Sequence, residues 1–189
     1  MARIEKDFLG EKELPDNAYY GVQTLRGKEN FHITGIPMAA EPYFVKAFGY
    51  VKKAAALANR DLGVLDARVA DAIVGACDRL IAGEMCEQFV TDFIQGGAGT
   101  STNMNANEVI ANLALESLGH RKGDYQHVNP NDHVNYGQST NDIYPTAFRL
   151  ALILRLASYM DALRRLQDAF YAKAREFERV LKMGRTHLQ

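Results

Sequence analysis

Asp132-His133-Val134-Asn135-Tyr136-Gly137-Gln138-Ser139-Thr140-Asn141-Asp142-Ile143-Tyr144-Pro145 ends a polar loop and opens a long helix. Ser139, Thr140, Asn141 and Asp142 are all types that accept hydrogen bonds from a first helical turn, and proline is tolerated within that turn, where Pro145 is expected. A helix N-terminus carries unpaired N–H groups and a partial positive charge. Hydroxyls and an amide gathered there, with no Lys or Arg among them, suit a small carboxylate or phosphate. The same residue types cap helices far more often than they build sites, so this stretch alone leaves both readings open.

C-terminal to it, Phe148, Leu152, Leu156, Tyr159, Leu163, Leu166, Phe170, Ala174, Phe177 and Leu181 follow one another at steps of 3 or 4. That stripe predicts a helix of about 50 Å, too long to stand without partners. Leu150, Ala151, Ile153, Leu154 and Ala157 make its first part apolar nearly all round, which predicts burial in a bundle or between subunits. Gly184 fits the residue after a helix end, and Thr186-His187 follow. Thr186 and His187 lie about 50 Å along the helix from Ser139-Thr140-Asn141. If both ends serve one site, that site is assembled from different subunits.

N-terminal to the opening stretch, residues 1–37 read as irregular with short strands. Glu13 to Asn17 carries turn chemistry, and Ala18 to Thr24 is β-prone. Helical spacing begins at Glu41, with Phe44, Val45, Phe48, Val51, Ala55 and Ala58 on one face, the Lys52 stem at its edge, and Gly63 as a stop. A second helix is expected from the Asp66 cap to Gly83, and a short one over 84–93. Gln95-Gly96-Gly97-Ala98-Gly99-Thr100-Ser101-Thr102-Asn103-Met104-Asn105 is a Gly-rich loop running into hydroxyls, amides and a helix that Gly119 closes. It lacks the Lys of a phosphate-binding Walker loop and the final Gly of a dinucleotide fingerprint. Asn105 and Glu108 have the spacing of a capping pair.

Composition narrows the class. The chain has 189 residues, 47% hydrophobic, with 22 basic and 23 acidic side chains that nearly cancel. That balance argues against a nucleic-acid partner. Cys77 and Cys86 fit no metal spacing and read as reduced, which together with a charged N-terminus points to a cytoplasmic protein. No run approaches a membrane span of about 20 apolar residues. His120, His127 and His133 share the polar loop of residues 119–138. With no i, i+4 pair on a helix and no Cys beside them, they are expected to be solvated or locally bonded rather than metal ligands.

Three stretches agree with one family. Gln95 to Asn105 with Asn107-Glu108-Val109, Asn129 to Asn135 with Gln138 to Asp142, and Gly184 to Gln189 together resemble the aspartase/fumarase superfamily. Arg3 to Asp7 and Tyr19 to Thr24 resemble it too. Ser139 to Thr146 and Leu181 to Thr186 are closer to the aspartase branch than to fumarases, which more often carry a second Ser where Thr140 stands. Tyr136-Gly137 departs from the family's usual Lys and small residue.

The resemblance implies a mainly α fold. A small irregular or β N-terminal segment and a helical lyase domain would span residues 1–140, and the first long helix of a central bundle, incomplete here, would span 141–189. It implies elimination of ammonia from L-aspartate to give fumarate, without a cofactor or metal, in a homotetramer whose subunits share each site. Thr100, Ser139 and Thr140 would grip the β-carboxylate, and Asn141 would lie near the amino group. Thr186 and His187 would meet the α-carboxylate and the leaving amine, while Ser101, Thr102 and Asn103 are secondary candidates. The family's Gly-Ser-Ser loop, which supplies the serine base and a substrate-binding Lys, is not among these residues, so the fragment alone is expected to be inactive. A fumarase or another superfamily lyase is the near alternative, and a non-catalytic helical oligomerisation module is the alternative of another class.

Overall fold

The computed structural model describes residues 2–185 and residue 187. The chain forms two compact units, residues 1–152 and 153–189. In the first, β1 (Ala2–Asp7) and β2 (Gly10–Pro15) make an antiparallel hairpin in which Arg3 faces Leu14 and Glu5 faces Lys12. α1 (Val22–Asn30), α2 (Pro42–Asp61), α3 (Ala67–Ala82) and α4 (Thr100–Ser117) follow. α5 (Thr140–Glu176) begins in the first unit and continues as the second. The mainly α class is therefore as expected.

α2 and α3 form where their sequences place them. Pro42 occupies the first turn of α2, the Asp66 carboxylate accepts from Val69 N at the start of α3, and Gly83 ends α3 with φ +94°. Their apolar faces, including Phe44, Phe48, Ile73 and Leu80, pack with Val109, Ile110 and Leu113 of α4. α4 differs from both: every residue from Thr102 to Leu115 is buried. The start of α5 joins this core through Ile143, Ala147 and Ala151, and the Tyr144 ring meets the Phe44 ring edge-on at 5.3 Å.

Five local expectations are corrected. The strands lie at 2–7 and 10–15, while the β-prone segment of residues 18–24 is tied down by side chains and then enters α1. Tyr19 N donates to Gln88 Oε1, and the carbonyls of Tyr19 and Tyr20 accept from Asn112 and Arg3. The helix expected over 84–93 shrinks to a 3-10 turn, Cys86–Gln88, because Met85 before it is left-handed, φ +63°. Pro145 sits in the second turn of α5, whose first residue is Thr140. α5 ends at Glu176 rather than near Leu181, so Gly184 does not follow its end; past Glu176 the chain tightens, with Glu178 N and Val180 N bonding three residues back.

The fifth correction concerns Asn105 and Glu108, which lie inside α4 and cap nothing on it. Glu108 instead caps α1. Its Oε2 accepts from Gly21 N (2.8 Å), Thr24 N (3.0 Å) and Thr24 Oγ1 (2.6 Å), and its Oε1 from Gln23 N (2.9 Å). A carboxylate is thereby delivered from another helix onto the positive end of α1. Gly21 has to be glycine, since a Cβ there would fall 2.5–2.7 Å from Tyr125 Oη, Glu108 Cδ and Glu5 Oε2.

Glu108→Ala is expected to lower the unfolding free energy by about 3 kcal/mol, because it strands buried N–H groups. Urea denaturation followed by circular dichroism measures it; a loss below about 0.5 kcal/mol contradicts the assignment.

Candidate functional site

Two helix N-termini meet in the first unit. The turn entering α4 holds three successive left-handed residues: Gly97 (φ +69°), Ala98 (φ +52°) and Gly99 (φ +91°). Ala98 is the strained one, since its Cβ disfavours that region. Gly99 lies so close to Tyr144 of α5 that a Cβ would overlap its ring. Gln95 takes the place of a local cap on α4: its Oε1 accepts from Thr102 N at 2.7 Å, and its Nε2 donates to Thr102 Oγ1 and to Asp92 O. Asp92 in turn holds the preceding loop through Thr34, Gly35 and Ile94. Burial works against its charge, but these donors win and hold the carboxyl well below the usual range.

At α5, Ser139 O accepts from Asp142 N and Ile143 N, and Ser139 Oγ accepts from Asn141 N at 3.2 Å. Thr140 Oγ1 accepts from Asn103 Nδ2 at 3.0 Å. Both hydroxyl oxygens are therefore engaged as acceptors, which leaves each O–H free to donate to an incoming anion. Thr100 is set differently, because its Oγ1 donates to Gly97 O at 2.6 Å and must turn to reach a ligand.

Beneath these groups lies a buried lysine. Lys52 on α2 was expected to sit at a stripe edge with its stem alone covered, yet the whole residue is buried. Its Nζ donates to Asn135 Oδ1 (2.8 Å) and Gln138 Oε1 (3.0 Å). Asn135 Oδ1 also receives Nδ2 of Asn103 (3.2 Å) and Asn107 (3.3 Å). Asn135 Nδ2 donates to Gln138 O and Gln138 Nε2 to Val134 O, which closes the loop that presents Ser139 and Thr140. Burial pushes the Lys52 amine down to about 7, and the neighbouring Cys77 thiol is pushed up to about 12 for the same reason.

The expected site residues fall into four groups. Ser139, Thr140 and Asn141 cluster as anticipated at α5, with Thr140 bridged to α4 through Asn103. Thr100 and Ser101 line an open cleft of about 550 Å³ with Gln23 and Arg26, while Asn141 lines another of about 470 Å³ with Gln95, Gly99 and Tyr144. Thr102 and Asn103 are buried and bonded within the protein, so they hold the site rather than face a ligand. Thr186 lies outside the described residues, and His187 is an exposed turn residue of the second unit. The sequence reading missed the supporting set of Lys52, Gln95, Asn135 and Gln138. A lysine inside an apolar helical stripe was the one available signal.

A family model described as lyase matches residues 10–189. The chain belongs to this lyase family. It is 57% identical over 187 residues to an aspartate ammonia-lyase of Helicobacter pylori, covering 99% of this chain and 40% of that protein. The solved fumarate lyase:delta crystallin of Brucella melitensis superposes with TM-score 0.92 at 57% identity, covering 100% of this chain and 44% of that one. A class II fumarase of Schistosoma mansoni gives 0.86 at 38% identity, covering 100% and 40%. The chain thus spans about 40% of the length of the curated relatives it matches. The resemblance to the aspartase/fumarase superfamily holds.

Because the folded chain holds the Lys52 amine near 7, the unfolded chain binds more protons between there and about 10.4. Stability should therefore rise with pH from about 7 to about 8.5, above which the raised Cys77 thiol works in the opposite direction. Between about pH 6.5 and 8.5 the unfolding free energy is expected to gain about 1–3 kcal/mol, and Lys52→Met should remove the gain. Urea melts of both proteins at the two pH values measure it; equal slopes contradict a buried amine.

Proposed function

We propose that this chain is the N-terminal portion of an aspartate ammonia-lyase, a carbon–nitrogen lyase that converts L-aspartate reversibly to fumarate and ammonia. A base outside these 189 residues would remove a proton from Cβ. The Cβ–H electrons would first delocalise onto the β-carboxylate as an enediolate-like species. They would then form the Cα–Cβ double bond as the C–N bond breaks and ammonia leaves. The Ser139 and Thr140 hydroxyls and the α5 N-terminus would stabilise that developing charge, and Asn141 would orient the amino group. Thr100 would complete the carboxylate grip, and Thr186 and His187 would come from another subunit of a homotetramer.

One observation carries this reading. Thr140 Oγ1 accepts from the buried Asn103 at the start of α5, which leaves its O–H available to donate to an outside acceptor. The greater identity to an ammonia-lyase, 57% against 38% for the fumarase, favours aspartate over malate as substrate. In the whole protein, residues 1–140 would form the lyase domain and 141–189 the start of the central bundle, in the cytoplasm. The second unit fits that role, since Leu156, Tyr159, Leu163, Leu166 and Phe170 are all exposed along it. No described helix is long and apolar enough to cross a membrane.

In the full-length enzyme, Thr140→Val should lower kcat/KM for L-aspartate by about 10²–10³-fold, while Thr140→Ser retains most of it. Fumarate absorbance follows the reaction, with L-malate as the competing substrate. Full activity in Thr140→Val, or preference for L-malate, contradicts the proposal. The 189-residue chain alone should show no turnover.

A further inference from the structure

We propose that the turn of residues 120–127 binds one divalent transition-metal ion, of the zinc, cobalt or nickel class, through His120, Asp124 and His127. The three offer one donor atom each within 4.8 Å of one another. Asp124 Oδ2 stands 4.0 Å from His120 Nδ1 and 3.7 Å from His127 Nε2. The imidazoles lie face to face, ring centroids 3.8 Å apart and 14° from parallel. Bonds of about 2.0–2.2 Å to one tetrahedral ion place ligand atoms about 3.3–3.6 Å apart. Closing onto one ion requires the two stacked rings to rotate and His127 Nε2 to leave the Gln126 Nε2 that stands 3.4 Å from it. Two imidazoles and a carboxylate select this class of ion over calcium or magnesium, which prefer all-oxygen shells.

The backbone of the turn is already fixed. His120 N donates to Leu115 O (2.9 Å) at the end of α4, and Gly123 N donates to Asn112 Oδ1 (2.7 Å). Tyr125 turns inward, its hydroxyl donating to Glu5 Oε2 and accepting from Asn112 Nδ2, both at 3.1 Å. His127 N donates to Asp124 O. With ends and middle pinned, little backbone entropy opposes capture of an ion. Lys122, the nearest competing ammonium in sequence, is drawn onto the Tyr19 ring at 4.0 Å. His133 stands apart from the trio, because its Nδ1 accepts from Asn129 N. The ligands fall at i, i+4 and i+7 in a turn rather than on a helix, which is why a search for helical pairs passes over them.

The proposal does not depend on the lyase reading, and it is tested on the 189-residue chain itself, tag-free and freed of metal. Zn²⁺ titration should shift the imidazole NMR signals of His120 and His127, leave that of His133 in place, and saturate at one ion per chain. Co²⁺ should give visible absorption bands of a nitrogen- and oxygen-ligated ion. His120→Ala and Asp124→Ala should each weaken binding by more than about tenfold, since even residues that only support ligands cost 10–100-fold. His133→Ala should not weaken it. Both ligand side chains are partly exposed, so the variants should keep the wild-type circular dichroism. Unmoved His120 and His127 signals, or equal affinity in the His120→Ala, His127→Ala double variant, would overturn the proposal.

Discussion

One helix, buried on every side yet rich in polar residues, sets the arrangement of everything around it. Loop backbone groups taken from water need partners, and α4 supplies them. Thr102 engages Thr91 and Gln95; Asn105 holds Gln88 and Val90; Glu108 caps α1; and Asn112 holds Tyr19 and Gly123. Asn103 and Asn107 reach Asn135, and Asn103 reaches Thr140. Most of these contacts join segments well apart in sequence, so the loops take their shape from α4 rather than from their own turns. A polar helix is costly to bury; on α4, Asn103 Oδ1 and Asn107 Oδ1 are the buried side-chain atoms left without a partner among the described residues.

The consequence for chemistry is preorganisation. The Ser139 and Thr140 oxygens already accept bonds from within the protein, so their O–H groups remain available to an anion. Lys52 Nζ, with amide oxygens as its partners, ties α2 to the loop that leads into α5. The strained Ala98 between two left-handed glycines shapes the facing turn. Such a frame suits an anion whose charge grows along a reaction coordinate, since its donors need no reorganisation when charge arrives.

What could be read from residues alone follows the range of the forces involved. α2 and α3 were legible end to end because Asp66 and Gly83 act within one turn of themselves. The donor cluster at residues 139–141 was legible for the same reason. α1 was not, since the carboxylate that caps its start comes from Glu108, more than eighty positions away. Glu108 itself was misread as a local capping partner, because spacing cannot distinguish a side chain that serves its own helix from one that serves another. Lys52 looked like a stripe-edge residue, and only the amides of Asn135 and Gln138, far along the chain, make its burial tolerable. The grouping of His120 with His127 escaped because the turn that stacks them depends on Asn112 and Tyr125.

In the proposed enzyme, donors held from behind by α4 converge on a dicarboxylate. A crystal structure of the full-length assembly with a bound four-carbon diacid tests it most directly. The account predicts Ser139 Oγ and Thr140 Oγ1 within about 3.2 Å of one carboxylate, with Asn103 still donating to Thr140. A diacid bound elsewhere, with both hydroxyls turned onto their own backbone, would contradict it.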